Sequence, residues 1–284
     1  MTRAEIEKII EPIIRKCLRE FGDLSNKDAP MEDFLAATEG TLRPDVRRVS
    51  LLVSMAQSVL GASASGEGLE IGSGYGYLLL PMARFLPGIR WSAVEHPDRA
   101  YVNREDYLET LCLYHCQIVT SNITHEPLPF PDGHFNVVTF SEVVEHLPVE
   151  RLNFVLSEIA RVIRPGGVLL ASSPNQVSLE NRLRILRGKS ILDMPDEAEC
   201  AKGVFGHIRL YTQSEMKSAM SKRGFTLEQS VIESNNSGYR GNSPRSWRRR
   251  TYRMYERVER GLPLLRVMGD SWHMAFRRTA PVDR

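Results

Sequence analysis

The stretch Gly68-Leu69-Glu70-Ile71-Gly72-Ser73-Gly74-Tyr75-Gly76 decides the fold. A short apolar run carrying one acid reads as a strand, and glycines at alternate positions read as a turn that feeds a helix. Glycine lets the backbone take a positive φ and lets a ligand lie against it. A dinucleotide fingerprint would place its third glycine at position 77, where the chain has Tyr77. A phosphate loop would need a lysine followed by Ser or Thr, and none follows here. An acid just before the turn repels a pyrophosphate and suits a ligand with an ammonium group.

Outward from this turn, strand-like and helix-like segments alternate. Strands are expected at Gly68–Ile71, Trp91–Glu95, Gln117–Thr120, Asn136–Ser141, Val168–Ser173, Thr226–Ile232 and Trp272–Arg277. Helices are expected between them at Tyr75–Phe85, Arg99–Leu113, Val149–Ile163 and Thr212–Lys222. That rhythm predicts βαβ units and a mostly parallel, doubly wound α/β sheet. Upstream, Ile6, Ile9, Ile10, Ile13, Ile14 and Cys17 recur at helical spacing over residues 3–20, and further helices are expected at Met31–Thr38 and Asp45–Leu60. The small residues of GASASGEG mark a boundary near residue 65, separating an N-terminal helical extension (1–65) from the main domain (66–284). Helical insertions near 175–204 and 234–269 interrupt the alternation.

Composition narrows the class. The chain has 284 residues, 42% apolar and 25% charged, which fits a globular domain and excludes collagenous or disordered classes. A net charge of +2 demands neither a nucleic-acid nor a membrane partner. The four cysteines, Cys17, Cys112, Cys116 and Cys200, lack CxxC spacing and suit thiols in a reducing compartment. With no signal-like or bilayer-spanning apolar run, a cytoplasmic setting is expected.

The acid followed by G-x-G-x-G resembles the first motif of class I S-adenosylmethionine-dependent methyltransferases. Four downstream segments extend the resemblance over residues 68–175: WSAVE, ending at Glu95; Ser121-Asn122-Ile123; LPFPDGHFNVVTFSEVVEHL; and RVIRPGGVLLASSPN, with Gly166-Gly167 as a turn. The resemblance implies a Rossmann-like seven-stranded sheet of order 3-2-1-4-5-7-6 with the last strand antiparallel. It implies S-adenosylmethionine as cofactor across the carboxyl ends of the first four strands. The donor-binding set would be Glu70, Gly72, Ser73, Gly74, Gly76, Glu95, Asn122, Ile123 and Ser141. Glu95 would accept from both ribose hydroxyls, Asn122 from the adenine amine, and Ile123 would pack on the ring. Asn122 and Asn136 stand where the family usually has Asp, and both differences are expected to bear on donor affinity.

Ser141-Glu142-Val143-Val144-Glu145-His146 ends the fourth strand, beside the expected methyl. This ExxEH segment is similar to one in ubiquinone-biosynthesis O-methyltransferases and in small-RNA 2′-O-methyltransferases. The resemblance implies a divalent cation such as Mg²⁺ held by Glu142, Glu145, His146 and, from the segment Gly206–Thr212, His207. The metal-free reading makes His146 or His207 the group that takes the acceptor's proton, with Glu145 beside them as a candidate for acceptor activation, or leaves the site to positioning alone. Thr212 reads as a helix N-cap.

The expected acceptor is a small molecule, sugar or lipid-linked intermediate methylated on oxygen. The competing readings are an RNA 2′-O-methyltransferase and a binding scaffold without turnover. Between Arg240 and Arg260 eight Arg stand against two Glu, interleaved with Trp247, Tyr252 and Tyr255. That segment suits an anionic or phosphate-bearing group, or packs its apolar side inward as an ordinary helix.

Overall fold

The computed structural model of the chain describes residues 1–21, 31–61, 63–192, 206–233 and 268–279. Cys200 and the Arg240–Arg260 segment lie outside them. Two helices come first, α1 (Arg3–Phe21) and α2 (Met31–Leu60). The alternating part follows as β1 (Gly66–Ile71), α3 (Leu79–Phe85), β2 (Ile89–Glu95), α4 (Glu105–Leu113), β3 (Cys116–Thr120), β4 (Phe135–Ser141), α5 (Leu152–Val162) and β5 (Ile163–Pro174). It ends with α6 (Leu179–Leu186), α7 (Gln213–Ser221), β6 (Phe225–Glu233) and β7 (Ser271–Arg278). The seven strands form one sheet in the order β3-β2-β1-β4-β5-β7-β6. Strands β1 to β5 pair in parallel, and β7 runs antiparallel between β5 and β6. The expected Rossmann-like order and antiparallel last strand are therefore present.

Period-two alternation gives the sheet two apolar faces. One face carries Trp91, Ala93, Val137, Val168, Leu170 and Ala275 and packs against α1, α2 and α3 through Ile6, Ile10, Val49, Leu52 and Leu79. The other carries Leu69, Ile71, Val138, Phe140, Leu169 and Phe276 and packs against α5 and α7 through Leu156, Ile159, Met216 and Met220. Glu70 alternates with Leu69 and Ile71, so it points to the α2 face. By the same count Ser141, Ser172 and His273 point there too, at the carboxyl ends of β4 and β5 and on the neighbouring β7. Polar groups thus gather where α2 crosses the strand ends.

Several boundaries differ from the sequence reading. Met31–Leu60 is one helix rather than two, its C-terminal two-thirds held by buried Leu42, Val46, Val49, Leu52, Val53 and Ala56. Burial of that stripe overrides the helix-breaking tendency of Gly40 and Pro44. The helix expected at Tyr75 starts at Leu79, because Gly74 and Gly76 keep positive φ and hold residues 74–78 in a turn. The helix expected from Arg99 is interrupted: a 3₁₀ turn over Ala100–Asn103 precedes α4. Another 3₁₀ turn, Val149–Arg151, precedes α5. Strand β5 starts at Ile163, and its pairing with β4 shifts register between Phe135 and Val137 while Gly166 takes φ +78°. Gly166-Gly167 is thus an irregularity inside the strand instead of a turn before it. Ile9, placed on the inner face of α1 from its spacing, is exposed. Thr212 does cap α7, with reciprocal bonds to Glu215. Among the described residues Cys17, Cys112 and Cys116 form no disulfide, and no helix is long and apolar enough to cross a membrane.

Candidate functional site

The residues expected to hold the donor begin at the end of β1. The Gly72 N–H donates to the Val94 carbonyl at 2.9 Å, which ties the turn to β2. Gly72 has φ +72°, and a Cβ there would stand 2.6 Å from Val143 Cγ2, so only glycine fits. At Gly74, φ is +53° and nothing stands within 4 Å of an added Cβ, leaving the backbone open for close approach. Ser73 is buried between them.

Glu70 is buried, and its Oε2 has no hydrogen-bond partner in the fold. Burial drives its carboxyl well above the ordinary range, the nearby Arg48 charge opposes that, and Glu95 adds to it. A buried carboxylate oxygen without a donor is costly unless a ligand brings one. A ligand with an ammonium group would meet that need.

Glu95 ends β2 and is nearly buried. Its Oε2 accepts from the Gly74 N–H at 2.9 Å and from the Tyr101 hydroxyl at 2.8 Å, and its Oε1 accepts from the His96 N–H at 2.7 Å. Burial, then the Glu95 charge, pushes the Tyr101 phenol far upward, so it stays a donor. Asn122 opens the turn after β3: its Oδ1 accepts from the Thr124 N–H at 3.2 Å and hydroxyl at 2.7 Å. Ile123 packs on the α5 side of the core. Asn136 sits at the opposite end of the sheet, where its Oδ1 accepts from the Glu67 N–H at 3.0 Å and its Nδ2 donates to the Ser65 carbonyl at 3.1 Å. The expectation that Asn136 bears on donor affinity is corrected: its partners fasten β4 to the start of β1, at the far end from the Gly72–Gly76 turn.

The residues expected to face the acceptor begin at the end of β4. The Ser141 and Ser172 hydroxyls are 2.7 Å apart, and Ser172 Oγ donates to Glu142 Oε1 at 2.9 Å. Glu142 adopts φ +56°, a left-handed conformation that is unusual for glutamate. A 3₁₀ turn over Val144–His146 then turns Glu145 fully inside. There Glu145 Oε2 accepts from the Ser173 hydroxyl at 3.1 Å, while Oε1 has no hydrogen-bond partner. Burial first, and Glu142 second, raise the Glu145 carboxyl well above its usual range.

The Glu145 carbonyl accepts from the N–H groups of Ile208 at 2.7 Å and Arg209 at 3.2 Å, which brings His207 alongside. The His146 and His207 rings lie 5.0 Å apart, centroid to centroid. One ligand atom each from Glu145, His146 and His207 falls within 4.8 Å of the others. Glu142 is left out of that trio, being turned toward Ser172 and Arg48. The sequence spacing therefore brought three of its four candidate ligands together.

Sequence reasoning missed Arg48, Tyr101, Ser172 and Ser173. Arg48, on α2, donates through Nη1 to Ser141 Oγ at 3.1 Å and through Nη2 to Asp45 Oδ1 at 3.0 Å. Its Nη1 also lies 3.9 Å from Glu142 Oε1, and only 14% of its side chain is exposed. The available signal was a charge on the same helical stripe as Leu52 and Met55, both buried.

Comparison with known proteins gives the family and the fold. The methyltransferase-domain family profile matches residues 45–230. A probable S-adenosylmethionine-dependent methyltransferase of Mycolicibacterium smegmatis is 37% identical over 120 residues, 40% of either chain. A tRNA N(3)-cytidine methyltransferase of Danio rerio is 24% identical over 178 residues, 61% of this chain and 48% of that one. The chain thus spans less than half the length of these two relatives. A ubiquinone/menaquinone biosynthesis C-methyltransferase of Azotobacter vinelandii is 26% identical, covering 74% of this chain and 82% of its own. Among solved structures, the N-methyltransferase NodS of Bradyrhizobium japonicum, in complex with S-adenosyl-L-homocysteine, superposes with a TM-score of 0.51 at 15% identity over 95% of this chain and 99% of that one. An S-adenosylmethionine-dependent methyltransferase of Archaeoglobus fulgidus gives 0.52 at 18% identity over 86% and 99%. Those likenesses carry the fold, and the profile carries the family: the chain belongs to the methyltransferase-domain family, among the class I S-adenosylmethionine-dependent methyltransferases.

Proposed function

We propose that the chain transfers a methyl group from S-adenosylmethionine to an oxygen of a small molecule, sugar or lipid-linked intermediate. The donor, when bound, supplies an activated methyl on a sulfonium with a good leaving group. What this chain's residues must do is hold the donor, aim the acceptor and take its proton. Glu70, Gly72, Ser73, Gly74, Gly76, Glu95, Asn122, Ile123 and Ser141 are the donor-binding set. For the ribose, Glu95 uses its remaining lone pair and the place now taken by the Tyr101 hydroxyl. Residues 66–284 form the catalytic domain in this reading and 1–65 its helical extension. The cytoplasm is the setting that thiols without disulfide spacing suit.

The observation that favours oxygen is the trio Glu145, His146 and His207, whose ligand atoms lie within 4.8 Å of one another. A hydroxyl is a poor nucleophile until its proton leaves, and an imidazole backed by a second titratable group is the usual means of removing it. The test uses a donor labelled with an NMR-active methyl carbon and a small-molecule extract as acceptor source. A product methyl at a methoxy shift is expected, and one at an N-, S- or C-methyl shift overturns the oxygen assignment.

The same cluster supports a second reading, in which Glu145, His146 and His207 hold a divalent cation. The unpartnered Oε1 of Glu145 suits a cation, and the cation would polarise the acceptor hydroxyl. Paramagnetic broadening of the two imidazoles by Mn²⁺ would support it, and full turnover in chelator would end it. The RNA alternative rests on the Arg240–Arg260 segment, read as a phosphate-binding element. Binding to a single-stranded RNA that does not weaken with salt would remove it.

A further inference from the structure

We propose that α6 docks this chain on an anionic lipid bilayer, with Leu183, Ile185 and Leu186 entering the boundary between headgroups and acyl chains and Arg182, Arg187 and Lys189 lying against the headgroups. The docking stands on its own; that the membrane also supplies the acceptor rests on the lipid-linked option in the reading above and deepens it.

Helix α6 is built inside out. A surface helix ordinarily turns its apolar stripe to the core and its polar side to water. Here the residue facing inward is Asn181, which is buried. Its Nδ2 donates to the carbonyls of Asn175 at 3.0 Å and Gln176 at 3.1 Å, and its backbone N–H donates to Oγ of the N-cap Ser178 at 3.2 Å. At 3.6 residues per turn, Leu183 and Leu186 fall on the opposite side. Leu186 is 81% exposed and the adjoining Ile185 61%. Hydrogen bonds thus hold the helix, and its aliphatic side chains are left for a partner.

Charge decides which partner. Residues 182–189 read Arg-Leu-Arg-Ile-Leu-Arg-Gly-Lys, four cations and no acid. Arg182 and Arg187 flank the side that carries Leu183 and Leu186, and both are exposed, as is Lys189. Aliphatic side chains bordered by arginine and lysine suit the interface of a negatively charged membrane. A single-stranded nucleic acid would need aromatic rings to stack on, and α6 has none.

Position joins the helix to the candidate site. Among the described residues nine large apolar side chains are exposed, and five of them lie on the three segments that carry the candidate acceptor residues. Val149 follows His146, Ile208 adjoins His207, and Leu183, Ile185 and Leu186 belong to the first helix after Ser173. The Gln176 N–H donates to the Tyr211 carbonyl at 3.4 Å, which fixes the approach to α6 beside the segment that bears His207. A bilayer at this end of the sheet holds a lipid-linked acceptor against those residues, where a docked protein would cover them.

The test is co-sedimentation of the full chain with two kinds of vesicle, phosphatidylcholine alone and phosphatidylcholine mixed with phosphatidylglycerol. The wild type should bind the anionic vesicles and leave the neutral ones. Leu183→Gln combined with Leu186→Gln should weaken that binding roughly tenfold or more, the scale of losing two buried aliphatic side chains. Arg182→Gln combined with Arg187→Gln should weaken it too and flatten its dependence on salt. Both changes lie on the exposed side, so the thermal midpoint should hold in each. A wild type that ignores anionic vesicles, or binds both kinds equally, overturns the proposal and needs no variant to fold. Wild-type binding in the leucine variant also overturns it, since the contact then lies elsewhere, as in the Arg240–Arg260 segment. Heparin that strips the wild type from the vesicles overturns it as well, because charge alone then holds the chain, as it would on RNA or an acidic protein. Vesicle binding is read without turnover, so its failure leaves the oxygen-acceptor reading to its own NMR test.

Discussion

The two halves of the proposed site are made differently. The donor half comes from turns at consecutive strand ends, and its parts lie in short runs: Glu70 to Gly76, then Glu95, then Asn122-Ile123. The acceptor half is assembled across long separations. Arg48 comes from α2, Ser141 to His146 from the end of β4, Ser172 and Ser173 from β5, and His207 from the approach to α7. Backbone geometry dominates the first, with its run of positive-φ glycines. Buried side-chain hydrogen bonds dominate the second. A ligand common to a whole family can be held by backbone, whereas acceptor choice needs side chains that change freely around it.

If the halves are separable, variants should sort by what they damage. The largest effect is expected from His146→Gln, which should lower methyl transfer roughly 10²–10⁴-fold, the usual contribution of a general base. S-adenosylhomocysteine affinity, measured by calorimetry, should stay at the wild-type value. A matching loss of donor affinity would show that the halves are one unit. Next comes Glu95→Ala, expected to weaken donor binding by about 1.5–3 kcal/mol through loss of hydrogen bonds to a charged group. Wild-type affinity in that variant would place the ribose elsewhere.

A stability effect should localise to the acceptor half. His273 is buried on β7, and burial, with Arg48 and Arg3 adding to it, pushes its imidazole down to about 3. The unfolded chain binds a proton near the ordinary value of about 6.5 that the folded chain refuses. Stability is therefore lost as the pH falls below about 6.5, and the loss reaches about 2 kcal/mol at pH 5. Unfolding free energies from urea titrations at pH 7.5 and pH 5 should differ less in His273→Gln than in the wild type by that amount. An identical acid loss in the variant would assign it to other groups. The smallest effect is expected from Glu142→Gly, which should gain about 1 kcal/mol or less by relieving the left-handed backbone. A fall in thermal midpoint would mean that the contact with Ser172 outweighs the strain.

Legibility in the sequence followed the same division. Strand alternation and the glycine turn announced a doubly wound α/β sheet, because those signals are local and periodic; its strand order came from the resemblance to the family. The ExxEH spacing flagged Glu145 and His146 but also Glu142, since spacing cannot foresee that φ +56° turns that side chain toward Ser172. Asn136 looked like a cleft residue by likeness to a motif and proved to be a fastening at the other end of the sheet. Arg48 stayed hidden in an Arg-Arg pair, because which arginine faces inward depends on how α2 lies on the strands. Burial across the whole fold made one helix of two expected ones, and no short window of sequence contains that information.

Helix α2 has a mechanical consequence. Midway along it Arg3 of α1 donates to the Arg47 carbonyl at 2.7 Å and to Ser50 Oγ at 3.0 Å, and its guanidinium pairs with Glu233 at the end of β6. At its C-terminal end Gln229 of β6 donates to Ser58 Oγ and Arg277 of β7 donates to the Val59 carbonyl, both at 2.8 Å. The guanidinium of Arg48 rides on a rod pinned at two points to the outer strands. Loosening that rod and withdrawing the cation become a single event, and amide hydrogen exchange along α2 should slow in concert when a donor analogue locks it down.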